Sequence, residues 1–242
     1  MTSTPDRTDG RGGATRLVVI SAGTGNPSTT RRLADGLARA SLRALEEAGA
    51  PATAEVLELG PLAVDTARAA VAGFPGEAVQ AAIDRLADAD AIIAATPVHK
   101  AGVSGLFKTF LDVLDDDLLV AKPVLLAATG GTRRHALVVD EALRPLFAYM
   151  RALTLPTAVY AAPEDWGSGE LSRRIERAAT ELAVVVRAGV GRQVAEATWA
   201  AHEHAFGGNA QGAERAVADV DFDSPLMRLA AGGRMPPERD AA

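Results

Sequence analysis

The 242-residue sequence contains no cysteine. Disulfides, zinc–thiolate centres, iron–sulfur clusters and cysteine nucleophiles are therefore excluded. Aromatic residues are scarce, at 4%, while alanine is the commonest residue, so the core is built from small, helix-favouring side chains. A basic excess is also missing: 25 Lys and Arg face 31 Asp and Glu, for a formal charge of −6. That balance argues against nucleic acid and against anionic membrane surfaces as partners. No apolar run approaches the roughly 20 residues that a bilayer demands. The stretch around Val184 is interrupted by Arg187, and the first fourteen residues lack the apolar segment of a secretory signal. The expectation is a cytoplasmic protein. Hydrophobic residues make up 48% and charged residues 23%, an ordinary globular balance, and the length allows one or two domains.

Apolar periodicity divides the chain into alternating strands and helices. Residues 16–20 form a short β-branched run that ends in a Ser/Gly cluster, a buried first strand. Residues 28–48 show helical spacing through Leu33, Leu37, Ala40 and Leu45, with Ser28 as N-cap and Gly49-Ala50-Pro51 as terminator. Residues 53–59 alternate as a half-buried strand, and residues 61–75 read as a loop with a short helix. Residues 76–87 are helical, and 90–95 make a third strand running into Thr96-Pro97. A helix over 103–114, a strand over 122–128, a helix over about 136–153, a strand over 157–161 and a mostly helical 169–204 complete the series. Strands joined by helical crossovers become parallel, with helices on both faces. The expected fold class is therefore α/β, a flavodoxin-like three-layer sandwich with a five-stranded parallel sheet in the order 2-1-3-4-5. Residues 15–206 are expected to form that domain, after a disordered extension at 1–14. Residues 207–242 read as a flexible tail, or as an arm that packs on a sister subunit through Phe222, Leu226, Met227 and Leu229.

Ligands in such sheets bind beyond the carboxyl ends of the strands, near the point where strand order reverses. The loops after strands 1, 3 and 4 are therefore the ones to examine. The first, Ser21-Ala22-Gly23-Thr24-Gly25-Asn26-Pro27-Ser28-Thr29-Thr30, joins a buried strand to a helix N-terminus. Free N–H groups and the positive end of the helix dipole meet there, Gly23 lets the backbone approach an anion, and the hydroxyls supply further hydrogen bonds. It lacks the Gly-Lys-Ser/Thr of a P-loop, and its spacing is GxGxxS rather than GxGxxG, so a monophosphate suits it better than a pyrophosphate. The alternative is an ordinary capped turn. The second loop, residues 96–105, reads as an irregular exposed path offering backbone N–H groups to a flat heteroaromatic ligand, with His99 and Lys100 at its mouth. His99 is either a general acid or base or, more commonly for a lone histidine, a surface residue. The third, Thr129-Gly130-Gly131-Thr132-Arg133-Arg134-His135, pairs a permissive turn with cations. It reads as a hydrated basic turn or as a contact for a flavin edge, with Arg133 or Arg134 meeting a nucleotide phosphate. Three such loops at one sheet edge suggest flavin mononucleotide (FMN).

The stretch Pro97-Val98-His99-Lys100-Ala101-Gly102-Val103-Ser104-Gly105-Leu106-Phe107-Lys108-Thr109-Phe110-Leu111-Asp112 resembles a block of the NADPH-dependent FMN reductases. Ala128-Thr129-Gly130-Gly131-Thr132, followed by His135, Val139-Asp140, Ala142-Leu143 and Pro145, resembles a second block. The likeness runs from about Arg16 to Pro163 and is nearest to the alkanesulfonate-type reductases and those paired with luciferase-like monooxygenases. It implies direct hydride transfer from NADPH or NADH to FMN, with no catalytic side chain and no metal. It implies Ser21, Gly23, Ser28, Thr29 and Thr30 at the FMN phosphate, Pro97, Val98, His99 and Lys100 along the isoalloxazine, and Thr129, Gly130 and Gly131 at its pyrimidine edge. Arg133 and Arg134 would bind the nicotinamide nucleotide. Reduced FMN would leave for a flavin-dependent monooxygenase, and the protein would be a homodimer or homotetramer. Alkanesulfonate-type members usually carry Tyr where His99 and Val103 stand. The alternatives on the same fold are a flavodoxin-type electron carrier, for which Tyr149 and Trp166 are the nearby aromatic candidates, and an FMN-dependent quinone or azo reductase.

Other polar groups read as structural. Lys108 and Asp112 stand four apart on one helix, as a surface pair. Asp115-Asp116-Asp117 reads as a solvated turn, since three adjacent acids cannot all face one ion. His202 and His204 diverge by about 200° on a helix and do not form a metal pair.

Overall fold

The Leu-Val-Val-Ile run forms β1 (Thr15–Ser21), the strand on which the sheet is organised, in a computed structural model that describes residues 14–199. β2 (Ala52–Glu58) and β3 (Ala91–His99) flank it in parallel, and β5 (Pro123–Thr129) lies parallel to β3. The edge position beyond β5 is shared by two short strands, β6 (Leu153–Thr154) and β7 (Val159–Ala161), which pair with its start and its end. The five parallel positions thus follow the expected 2-1-3-4-5 order. The last position is split because Pro156 has no N–H to donate to the ladder. The Leu155 N–H still reaches Val124 O at 2.9 Å, but the Thr157 N–H turns to the Glu181 carboxylate at 2.8 Å.

Strand alternation sorts the core into two layers. Leu17 and Val19 face α1 (Thr29–Glu47) and α6 (Gly169–Arg187), where they meet Leu33, Leu37 and Leu182. Val18 and Ile20 face the opposite layer, which contains α2 (Ala63–Ala72), α3 (Glu77–Asp88), α4 (Gly105–Asp112) and α5 (Arg144–Tyr149). Phe107, Phe110 and Phe147 are fully buried in that layer. Each such side chain contributes about 1.5–3 kcal/mol. A last helix, α7 (Val190–Thr198), follows Gly189, whose φ of 63° turns the chain out of α6.

Three local expectations are corrected. The strand before the second loop does not end at residue 95: Pro97, Val98 and His99 continue β3, and Val103 belongs to β4 (Gly102–Val103) rather than to a helix. β3 and β4 form an antiparallel hairpin in which Val98 pairs with Val103. The segment is therefore a regular hairpin, not an irregular path. The helix expected over 136–153 is broken into a 3-10 turn at Arg133–His135, a π-helical turn at Val139–Leu143 and α5. Pro145 in the first turn of α5 removes one N–H, and the wider turn lies just before it. Between β2 and β3 stand two helices, α2 within the expected 61–75 segment and α3 over the expected 76–87.

The expected N-terminal extension lies almost wholly outside the described residues. The expected tail, its four apolar anchors, and His202 and His204 lie wholly outside them.

Candidate functional site

The carboxyl ends of β1, β3 and β5 come together at one edge of the sheet. Ser21 pairs in register with Ala95, and Pro97 with Thr129, while the Ala22 N–H reaches Ala95 O at 3.0 Å. The three loops singled out from the sequence therefore share one rim. Alternation from Leu17 and Val19 in β1, and from Leu125 and Ala127 in β5, places Ser21 and Thr129 on the α1 face of the sheet.

Beneath the N-terminus of α1 the hydroxyls are unequal. Ser28 caps the helix, its oxygen accepting from the Arg31 N–H at 3.1 Å. Thr29 is exposed at the first helical position. Thr30 is buried, and its Oγ1 lies 2.6 Å from the buried Thr129 Oγ1, which ties the first loop to the third. Ser21 is 1% exposed, and its Oγ has no hydrogen-bond partner among the described residues. A Cβ on Gly23 would collide with the Ser28 oxygen and crowd Thr30, so the loop can close this tightly only with glycine there. The first turn of α1 carries no acidic residue but has Arg31 and Arg32. Arg31 pairs with Asp35 at 2.8 Å and with Glu58, while Arg32 stands over the Trp166 ring, 4.7 Å from its centroid. Arg31 is thus already met by two carboxylates, and Arg32 is the cation of this turn that has no carboxylate partner among the described residues.

At the second loop, Lys100 and Ala101 connect β3 to β4, with φ values of 51° and 61°. The hairpin is anchored below: Ser104 N–H donates to Thr96 Oγ1 at 3.2 Å, and the Ser104 hydroxyl caps α4 by accepting from Phe107 N–H. His99 and Lys100 are exposed, and Pro97 and Val98 half-buried.

The third loop is held by residues the sequence reading passed over. Tyr160 on β7 is buried, and its hydroxyl donates to Thr132 O at 2.6 Å. Burial, with Glu164 and Asp165 nearby, pushes the Tyr160 phenol above its ordinary value. The same hydroxyl fills the space that a Cβ on Gly130 would need, so the Gly130–Gly131 turn and Tyr160 fit only as a pair. Arg133 donates from Nε and Nη2 to Asp165, at 3.1 and 2.7 Å. Burial alone would raise the Asp165 carboxyl, but the Ala162 N–H and the Arg133 guanidinium hold it below the usual value. Arg134 is exposed. The signal for Tyr160 and Asp165 is positional: both lie at or just past the carboxyl end of the fifth strand, whose following loop the switch-point argument leaves aside. Thr132 Oγ1, like Ser21 Oγ, is buried without a partner among the described residues; the other two such hydroxyls, Ser41 and Thr66, lie within α1 and α2.

Buried hydroxyls without partners are uncommon in native proteins. Two of them, on loops that meet at one rim, next to a helix N-terminus lined by arginines, fit the phosphate and carbonyl oxygens of FMN. Of the aromatic candidates, Trp166 stands at this rim and Tyr149 does not. Tyr149 ends α5, donates to Asp116 at 3.0 Å, and belongs to the opposite edge, by the start of β5. Of the three aspartates there, Asp116 is exposed as a solvated turn requires, whereas Asp117 pairs with Arg151 at 2.7 Å and is largely covered. Lys108 and Asp112 form the expected ion pair.

Residues 15–167 match the model of the NADPH-dependent FMN reductase family. The chain belongs to this family. An FMN reductase (NADPH) from Pseudomonas aeruginosa is 38% identical over 173 residues, which is 69% of this chain and 90% of that protein. The NADH-dependent FMN reductase SfnE of Pseudomonas putida is 38% identical with the same coverage. An oxidoreductase from Corynebacterium diphtheriae, solved by X-ray crystallography, is 42% identical and superposes with a TM-score of 0.70, covering 72% of this chain and 98% of that one. As a member of the FMN reductase family the chain is an oxidoreductase whose reaction uses FMN and a nicotinamide nucleotide. The electron-carrier and quinone- or azo-reductase alternatives are not favoured by these relatives.

Proposed function

We propose that the chain reduces FMN with NADPH or NADH and releases it to a separate flavin-dependent monooxygenase. The observation that carries the reading is the convergence of the three loops on one rim, where the unpartnered Ser21 hydroxyl and the Thr30–Thr129 pair share a face of the sheet. FMN, when bound, supplies an acceptor for the hydride of the nicotinamide ring. The chain's part is binding and alignment, and no side chain has to move a proton for that transfer. Ser21, Gly23, Ser28, Thr29 and Thr30 would hold the phosphate. Pro97, Val98, His99 and Lys100, on and beside the β3–β4 hairpin, would line the ring. Thr129, Gly130 and Gly131 would meet its polar edge, and a cation of the turn that follows them, Arg133 or Arg134, would meet the nicotinamide nucleotide. No metal enters this scheme.

A homodimer or homotetramer belongs to the same proposal. Val64 and Val71 on α2, with Phe74 just after it, are exposed at 62%, 91% and 69%. Contiguous apolar surface of this kind is commonly covered by another protein chain, here a second copy of this one. The reading also puts the protein in the cytoplasm, where reduced nicotinamide nucleotides are kept.

The test follows loss of reduced nucleotide absorbance with and without added FMN, in air and under anaerobic conditions. The expected result is turnover that requires FMN and saturates with it. A yellow protein that turns over neither nucleotide would overturn the reading in favour of an electron carrier. Light scattering of the purified protein checks the assembly, and a monomeric mass would remove that part.

A further inference from the structure

Arg133 and Arg134 are adjacent in sequence but have different surroundings. Two nitrogens of Arg133 donate to Asp165, and Glu164 lies 3.7 Å away. Asp165 is itself buried and fixed by the Ala162 N–H at 2.9 Å. The Arg133 charge is thus already met by two carboxylates, and its side chain ties the segment after β5 to the segment after β7. Tyr160, through Thr132 O, fastens the same two segments a second time. Arg134 sits one residue further along the 3-10 turn, exposed and without a carboxylate partner among the described residues.

NADPH differs from NADH only by a phosphate on the adenosine ribose. A guanidinium already neutralised by carboxylates gains little from that phosphate and would have to break its existing bonds. A solvated guanidinium offers its full bidentate fork. We propose that Arg134 is the residue that selects the phosphorylated nucleotide, and that Arg133 is a positioning residue that holds the Gly130–Gly131 turn in place. This rests on the FMN reductase reading above.

The test compares the NADPH-to-NADH ratio of kcat/KM in the full chain and in Arg134→Ala, Arg134→Lys and Arg133→Ala. Calorimetric binding of adenosine 2′,5′-bisphosphate and of adenosine 5′-monophosphate is measured in parallel. Loss of a charge-assisted contact in Arg134→Ala should lower the ratio about tenfold or more and weaken the bisphosphate by a similar factor, with the monophosphate unaffected. Arg134→Lys, which keeps the charge but not the fork, should recover part of the loss. Arg133→Ala should lower the melting temperature and the FMN affinity while leaving the ratio within about twofold. An unchanged ratio in Arg134→Ala, or an Arg133→Ala ratio that falls as far as the one expected for Arg134→Ala, overturns the assignment. If the unaltered chain turns over neither nucleotide, the reductase reading fails. The bisphosphate and monophosphate titrations then still decide whether Arg134 reads the phosphate.

Discussion

The hydroxyls of the first loop were all visible in the sequence, but their inequality was not. Ser21, Ser28, Thr29 and Thr30 look alike as letters. The fold buries Thr30 against Thr129, leaves Ser21 without a partner and makes Ser28 a helix cap. The Thr30–Thr129 contact joins positions 99 residues apart, so no local spacing announces it. It also permits a clean measurement. Thr30→Val or Thr129→Val alone leaves a buried hydroxyl unsatisfied and should cost about 1–3 kcal/mol, whereas replacing both with shape-matched apolar groups should cost much less than the sum. Urea unfolding of the four proteins in the cycle checks this, and strict additivity would show that the two hydroxyls do not interact. A second expectation concerns Gly130. Gly130→Ala drives a methyl into the Tyr160 hydroxyl and should destabilise the protein by about 1–3 kcal/mol, as overpacking does, with weakened FMN binding. Tyr160→Phe removes the obstructing oxygen, so the double variant should recover much of both losses. Failure of that rescue would place the damage elsewhere in the turn.

At the scale of elements, the parallel order was legible because each strand is a short apolar run and each crossover carries a helical period. Boundaries failed where backbone chemistry is silent in the sequence. The usual signal of a two-residue hairpin is Asn-Gly or Asp-Gly, which accept positive φ cheaply. Here the connection is Lys100-Ala101, and nothing in those two letters predicts φ values of 51° and 61°. The conformation is imposed by the Val98–Val103 pairing and by the Thr96–Ser104 anchor beneath it. A left-handed conformation costs an alanine about 1–2 kcal/mol, and glycine gives back roughly 0.5–1 kcal/mol in chain entropy. Ala101→Gly should therefore raise stability slightly, by up to about 1 kcal/mol, in a urea titration. A loss of stability would mean that the Ala101 methyl makes a contact worth more than the strain. The break before α5 was readable in principle, since Pro145 was in plain view. What the sequence did not show was that the chain would widen into a π-turn rather than end its helix.

At the scale of the whole molecule, β5 and β7 are neighbours whose following segments are drawn together by Arg133, Asp165, Tyr160 and Thr132. Asp165 is the ionisable centre of that closure, and its protonation should be felt in global stability. Burial works to raise its carboxyl, yet the Ala162 N–H, Arg133 and, at longer range, Arg174 hold it below its ordinary 3.8; Glu164, 3.7 Å from Arg133, shares that cation. A carboxyl depressed in the folded state contributes stability that is fully present above the unfolded value and disappears as pH falls through the folded one. The contribution of Asp165 should therefore be constant from neutral pH down to about 3.8 and fade below that. Asp165→Asn keeps an oxygen for the Ala162 N–H but removes the charge facing Arg133, so it should be less stable at pH 7. Its stability should also fall less steeply in acid, and the two unfolding curves should converge below the native carboxyl's titration. Carboxylates elsewhere protonate over the same range in both proteins and cancel in the difference. Urea unfolding of the pair from pH 7 to strong acid decides the matter: curves that stay parallel throughout would mean that the Arg133–Asp165 closure carries no net electrostatic weight, and the third loop would then be held by Tyr160 alone.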